Sequence, residues 1–265
     1  MSHYSKKQLK IGIVYLVIIA IIVVGIYFIN RPTGPTCSDG IKNQNEEDID
    51  CGGLCGQCQK IDDLQIILEK FISTTNSNYD LIVKIKNPNI VWAVESADYQ
   101  INLYDASDQL IGTKTNRTYI LPQETKYIVE QKFFSEKQVA KIETKLSNII
   151  WKKLSEFSDL DIRNRKTEYQ ILENGFSLLV GSIENKTSYD LDKIEVVGVL
   201  FNGQNEIIAV GKTLMNTFLR NESRGFEMIW PYIISEEVKS FDVRPYTNIF
   251  LDENFIKTQD GQSTY

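Results

Sequence analysis

Hydrophobic residues follow two different patterns along this chain of 265 residues. Residues 11–29, IGIVYLVIIAIIVVGIYFI, form one uninterrupted apolar run without a charged side chain. A helix needs ~20 such residues to cross the ~30 Å hydrocarbon core of a bilayer. Beyond residue 60 the apolar residues come in short runs separated by turn residues, which is typical of β-strands. The sequence therefore predicts one N-terminal transmembrane helix followed by mainly β structure.

The apolar run is predicted to stay attached to the protein. A secretory signal has a shorter apolar region, of about 7 to 15 residues, and a small-residue cleavage site. No A-x-A pattern follows residue 29. Lys6, Lys7 and Lys10 precede the run and only Arg31 follows it closely, so the positive-inside rule places residues 1–10 in the cytoplasm. The expected partner of residues 11–29 is the lipid bilayer, and the expected location is the cell membrane with most of the chain extracytoplasmic.

The β region contains an internal repeat. The expected strands are 64–73, 79–86, 97–104, 109–114, 125–133, 176–184, 193–201, 206–214 and 223–231. LIVKIKN at 81–87 aligns with LVGSIEN at 179–185, and in both copies of the next strand pair an aromatic residue precedes an isoleucine by seven positions: Tyr104 with Ile111 and Phe201 with Ile208. Two antiparallel β-sandwiches are expected, at 61–158 and 159–257, followed by a flexible tail at 258–265.

The segment between the two copies is less regular. Residues 136–157, EKQVAKIETKLSNIIWKKLSEF, place apolar side chains at Val139, Ile142, Leu146, Ile149 and Ile150. This spacing fits one face of a helix, which is the prediction for the segment. A last strand of the first sandwich is the alternative.

Composition excludes several classes of function. The net charge is −6, so the chain is expected to repel phosphate backbones, and nucleic acid is not an expected partner. His3 is the only histidine and lies before the apolar run. Catalysis or zinc binding that relies on imidazole is therefore not expected in the folded part.

Four cysteines, Cys37, Cys51, Cys55 and Cys58, lie in a small module at residues 30–60. An even number of clustered cysteines in an extracytoplasmic segment predicts two disulfides, whose pairing the sequence leaves open. A four-thiolate zinc site and a redox pair formed by Cys55 and Cys58 are the alternatives. Hard oxygen donors between the cysteines, beside Gly40, Gly52 and Gly53, are compatible with a calcium loop or with a solvated acidic segment.

The module resembles a motif of bacterial surface and secreted proteins, C-x-D-G-x-x-N-x-x-E-x-x-x-D-C-G-G-x-C-x-x-C. The chain matches it from Cys37 to Cys58. The resemblance implies a cell-surface location and a disulfide-tied module. It is compatible with calcium as a cofactor, with Asp39, Asn43, Glu46 and Asp50 as the candidate ligands, and implies no other cofactor.

The two β copies resemble the late-embryogenesis-abundant type 2 domains and the FxLYD domains of prokaryotic envelope proteins. The first copy carries Asn87-Pro88-Asn89, and the second carries VGSIEN at 180–185, LFNGQNEII at 200–208 and Phe226. A Pro-Gly pair that usually precedes the last strand is replaced here by Arg220-Asn221. The resemblance implies two fibronectin-like folds with binding or spacer roles, within a prokaryotic cell-envelope protein.

Three functions are compatible with these features. The first is a membrane-anchored interaction or structural protein that contacts other envelope proteins or polymers, and the second is a scaffold subunit of a secretion or pilus complex. The third is a hydrolase based on carboxylates such as Glu95 with Asp98 or Glu236 with Glu237. Neighbouring surface carboxylates are usually solvated side chains, so an enzyme is not expected.

Overall fold

A computed structural model describes residues 3–29, 37, 41–43, 45–47, 49–58, 60–154 and 160–256. The chain divides into two compact units, residues 1–60 and 61–265, which are described separately. The first unit begins with helix α1, His3–Ile29. Its segment Lys10–Tyr27 is long and apolar enough to span a membrane, and none of it is buried inside the protein. The helix predicted from the apolar run is therefore confirmed.

The second unit is built from antiparallel strands, as the sequence predicted. Its described residues form β1 (Gln65–Ser73), β2 (Asn78–Lys86), β3 (Trp92–Tyr104), β4 (Leu110–Ile120), β5 (Thr125–Phe134), β6 (Lys141–Lys153), β7 (Ile162–Ile171), β8 (Ser177–Asn185), β9 (Leu191–Phe201), β10 (Ile207–Phe218), β11 (Ser223–Trp230) and β12 (Ser240–Tyr246). One turn of 3-10 helix, Asp252–Asn254, follows β12.

The strands form four sheets of three strands each, in the orders β4-β3-β6, β1-β2-β5, β10-β9-β12 and β11-β8-β7. Strands β1–β6 form the first half and strands β7–β12 form the second half. The two halves have the same strand order when six is added to each strand number of the first half. Each half is therefore an antiparallel sandwich of two sheets, and both halves have the same topology.

The hairpin turns repeat in atomic detail. Asp105 N–H donates to Gln109 O at 3.0 Å, and Asn202 N–H donates to Glu206 O at 3.0 Å. The Oδ1 atom of Asp105 accepts the backbone N–H of Gln109, just as Oδ1 of Asn202 accepts that of Glu206. The strand register also shifts at the equivalent position in both copies, next to Tyr104 and next to Phe201. A shared register and a shared side-chain cap support the repeat inferred from the sequence.

Two apolar cores fill the space inside the two sandwiches. In the first sandwich Leu81, Val83 and Ile85 of β2 pack with buried residues of β3. In the second, Ile194, Val196 and Leu200 of β9 pack with Leu179 and neighbours on β8 and β11. In each strand these residues alternate, because successive side chains point to opposite faces of a sheet.

A third core joins the two sandwiches. Ile82 of β2 and Tyr127 and Val129 of β5 pack against Val197 and Val199 of β9. Strands β2 and β9 are consequently buried on both faces over part of their length, which explains the consecutive apolar positions 81–83 of β2 and 196–201 of β9. The sheets β1-β2-β5 and β10-β9-β12 are the inner layers of this arrangement.

A buried asparagine repeats at the end of the second strand of each half. Nδ2 of Asn87 donates to Trp92 O at 2.7 Å and Leu121 O at 3.0 Å, and its Oδ1 accepts the N–H of Asn89. Asn185 likewise donates to Tyr189 O at 2.9 Å and Phe218 O at 3.1 Å, and accepts from Thr187. Both side chains are fully buried, so each carboxamide satisfies backbone groups that water cannot reach.

The helix predicted within 136–157 is wrong, because this segment contains strand β6. Its register with β3 shifts between Ser96 and Asp98, near Asn148, whose φ is 50°. The shift moves the inward side chains from even positions, such as Ile142 and Leu146, to odd positions, such as Ile149. At the shift β6 has one more residue than β3. This extra residue interrupts the alternation, so the apolar side chains of β6 have the spacing of a helix face, which explains the error.

Strands β7 and β12 were not predicted, and both lie at sheet edges. Strand β7 is mostly exposed and charged, so it lacks an apolar alternation. Strand β12 contains Pro245, a residue confined in sheets mainly to edge strands. The predicted boundary at 158/159 and the predicted tail at 258–265 lie outside the described residues.

We expect Asn185→Ala to destabilise the second unit by about 2 to 4 kcal/mol, because it leaves buried backbone groups without partners. Asn216→Ala is the matched control, since Asn216 is exposed on β10, and its expected change is within about 0.5 kcal/mol. Urea unfolding of the full chain in detergent, followed by tryptophan fluorescence, measures both. Equal stabilities for the two variants would contradict the role assigned to Asn185.

Candidate functional site

The cysteine module is held by two disulfides, Cys37–Cys55 and Cys51–Cys58. Gly52 lies where the chain turns, with φ of 81°. Its N–H donates to Gly56 O at 2.8 Å. A Cβ atom at this position would lie 2.6 Å from the backbone nitrogen of Glu47, so a larger residue does not fit. The two disulfides and this turn define a compact cross-linked module.

Glu46 lies inside the module with 7% of its surface exposed. Its Oε2 atom accepts the backbone N–H groups of Asn43 at 3.1 Å and Asp50 at 3.2 Å. Its Oε1 atom contacts Cys55 Sγ at 3.3 Å; a disulfide sulfur carries no proton to donate. The carboxylate therefore ties the backbone at Asn43 to the backbone at Asp50.

Calcium binding by this loop stays a prediction. The backbone contacts of Glu46 bring Asn43 and Asp50 close to its carboxylate, while Asp39 and Gly40 lie outside the described residues. Among the described residues no group of three or more His, Cys, Asp or Glu side chains could hold a metal ion.

The carboxylates considered for hydrolysis each have a partner in the second unit. Asp98 accepts hydrogen bonds from Asn148 at 2.7 Å and Arg117 at 2.9 Å, which lower the pKa of its carboxyl group. Glu95 pairs with Lys152 at 3.3 Å. Glu236 accepts a hydrogen bond from Asn202 at 2.6 Å, and Glu237 pairs with Lys239 at 2.5 Å.

A cleft of about 220 Å³ lies where the two sandwiches meet. Strands β3, β4 and β5 line it from the first half, and β9, β10, β12 and the segment after β12 line it from the second. Strand β5 crosses the facing sheet, since the Tyr127 N–H donates to the Tyr246 hydroxyl on β12, and Gln131 donates to Val210 O on β10. This crossing leaves space beside the third core.

Lys126 is the buried cation of this cleft, with 4% of its surface exposed. Its Nζ atom donates to Tyr119 O at 3.0 Å and lies 3.2 Å from the centre of the Tyr119 ring and 5.1 Å from that of Tyr246. Burial lowers the pKa of its ammonium group to about 8, and the charges of Glu124 and Glu195 offset this only in part.

A second polar group beside the cleft centres on Glu130, which is 7% exposed. Its Oε1 atom accepts hydrogen bonds from Tyr99 at 2.5 Å and Asn116 at 3.3 Å, and its Oε2 atom pairs with Lys114 at 3.6 Å and Lys212 at 3.8 Å. Burial favours a higher pKa for this carboxyl, but Tyr99 and Lys212 outweigh it and the pKa is lowered. Glu130 is therefore a buried, ionised carboxylate at the junction of the halves.

Sequence reasoning missed the cleft. Lys126 follows Thr125 at the start of a strand, where lysine is usually solvated, and no local pattern marks it as buried. The contact between the halves depends on pairs far apart in sequence, such as Tyr127 and Tyr246. Only the fact that β2 and β9 are apolar at consecutive positions indicated that both faces of these strands are covered.

No family model and no curated protein matches this chain. Among solved structures, red sea bream transglutaminase has 10% identity and a TM-score of 0.21, covering 70% of this chain and 29% of its own. The calcium-binding domain CBD12 of CALX1.1 has 12% identity and a TM-score of 0.18, covering 65% of this chain and 73% of its own. At these TM-scores neither likeness bears on function.

We expect the stability of the protein to rise with pH between about 8 and 9.5 because of Lys126. Its pKa is about 8 in the folded state and near 10.5 when exposed, so the unfolded chain binds more protons in this interval. The slope is up to about 1.4 kcal/mol per pH unit for one such group. Below pH 8 both states are protonated and the cost of burying the charge is fully present.

Lys126→Met removes this charge while keeping an unbranched apolar side chain. We expect the variant to lose the rise in stability and to be more stable than the parent at pH 7, by about 3 kcal/mol. Urea unfolding at pH 7, 8, 9 and 9.5 measures both effects. A parent protein whose stability is flat over this range would show that Lys126 is not a buried ammonium.

Proposed function

We propose that this chain is a membrane-anchored interaction or structural protein of a prokaryotic cell envelope, which presents its two sandwiches outside the cytoplasm. The observation that carries the proposal is helix α1, whose apolar segment Lys10–Tyr27 has no protein surface against it. An exposed apolar helix of this length is stable only when lipid or another apolar partner covers it.

The cysteine module supports the proposal that the chain after helix α1 lies outside the cytoplasm. Two disulfides within residues 37–58 are compatible with an oxidising compartment, whereas thiols in most cytosols stay reduced. The lysines before the helix support the same orientation. The proposed partners are envelope proteins or polymers, and the proposed role is binding or spacing rather than catalysis.

The extent of the contact between the sandwiches supports a structural role. Apolar residues of both halves form the third core, and the Gln131 side chain both donates to Val210 O and accepts from the Lys212 N–H. Such a junction restricts bending between the halves. A restrained pair of sandwiches suits a protein that holds a binding surface at a fixed distance from its anchor.

The redox state of the cysteines tests the orientation. The full chain is expressed in a bacterium, free thiols are blocked in intact cells and again during lysis, and the tryptic peptides are analysed by mass spectrometry. We expect two intact disulfides in the membrane fraction. The matched control lacks residues 1–29 and remains in the cytoplasm, where its cysteines are expected to be blocked thiols.

Four blocked thiols in the full-length protein would contradict the proposed orientation and would favour the zinc alternative. Recovery of the expressed protein in the soluble fraction, without its N-terminal helix, would show instead that the helix is a cleaved signal.

A further inference from the structure

The cleft between the sandwiches contains a buried cation with unused hydrogen-bonding capacity. An ammonium group carries three N–H donors. Tyr119 O accepts one of the Lys126 donors, and no ion pair within the described residues includes Lys126. Buried charges are normally paired, so this site provides a favourable position for one negative group.

The other side chains that line the cleft fit hydroxyl groups and an apolar ring. Tyr119 and Tyr246 provide aromatic surface beside Lys126. Asn116, Asp192 and Glu253 also line the cleft and offer an amide and two carboxylates. Hydroxyl groups can donate to the two carboxylates and accept from Asn116, whose amide carries two N–H donors and uses one on Glu130. A purely apolar ligand would form none of these hydrogen bonds.

The charges limit the ligand to a low net charge. Arg117 pairs with Asp98 at 2.9 Å, and Lys212 lies 3.8 Å from Glu130 and 4.0 Å from Glu195. The remaining charged side chains that line the cleft are Lys126, Lys193, Asp192 and Glu253. Two positive and two negative groups give the cleft no net positive charge to attract a polyanion, but they accept a single carboxylate placed next to Lys126.

The volume limits the size of the ligand. Pockets for drug-sized ligands measure about 300 to 1,000 Å³. A cleft of about 220 Å³ is smaller and has room for one substituted ring.

We propose that this cleft binds one acidic monosaccharide unit, a hydroxylated six-membered ring that carries a single carboxylate. The carboxylate contacts the Lys126 ammonium, and the ring lies beside Tyr119 and Tyr246. The site does not depend on the orientation in the membrane, so it can be tested separately from the proposed function.

Glucuronate is the probe, titrated into the full chain in detergent by isothermal titration calorimetry at pH 7. Lys126→Met should weaken the binding by roughly tenfold or more, because a charge-assisted hydrogen bond in a buried site is lost. Lys193→Met is the matched control: it removes the same charge from an exposed side chain of the same cleft and should weaken binding by about fivefold at most.

The unmodified protein provides a second test that needs no variant. Since the pKa of Lys126 is about 8 in the empty cleft, the affinity for glucuronate should fall as the pH rises above 8. Glucuronate itself stays ionised over this range. An affinity that is independent of pH between 7 and 9.5 would overturn the assignment of Lys126 as the carboxylate partner.

Titrations with glucose, which has the sugar ring without the carboxylate, and with acetate, which has the carboxylate without the ring, test the two parts of the ligand separately. Glucose bound as tightly as glucuronate would overturn the role of the carboxylate, and acetate bound as tightly would overturn the role of the sugar ring. No heat of binding with glucuronate at tens of millimolar would overturn the proposal as a whole. These outcomes leave the membrane orientation untouched.

Discussion

Ile82, Val197 and Val199 lie in an apolar layer that neither sandwich could bury alone. A three-stranded sheet has two faces, and only one of them is covered within its own sandwich. The inner sheets of the two halves therefore cover each other, and the folding of each half is coupled to the presence of the other. The position of the cleft follows from the same contact, because strand β5 crosses the facing sheet and leaves a gap at one side.

The residues that alternate cleanly were predictable. Strands whose inward side chains face one core, such as β8 and β11, were found with their boundaries correct to within about one residue. The strand β6 was not, because the extra residue near Asn148 changes the phase of its alternation. The edge strands β7 and β12 were missed since exposed edges need no apolar pattern.

The candidate sites differ in how far the sequence predicts them. The cysteines are close together in the chain, so the sequence predicts that they form one cross-linked module, although their pairing required the structure. Lys126 and Tyr246 are brought together by the packing of two sandwiches, and nothing near either residue in the sequence indicates the other. Local patterns specify local sites, whereas a site between repeats depends on how the repeats dock.

The buried Asn185 limits how the chain can be modified. Asn185, Lys186 and Thr187 form an acceptor sequence for N-linked glycans. The amide nitrogen that would carry the sugar donates to Tyr189 O and Phe218 O, and the side chain has no exposed surface. A glycosylating enzyme could reach it only before the second sandwich folds. A glycan attached at that stage would keep the Asn185 side chain at the end of β8 from being buried, so folding and glycosylation exclude each other at this asparagine.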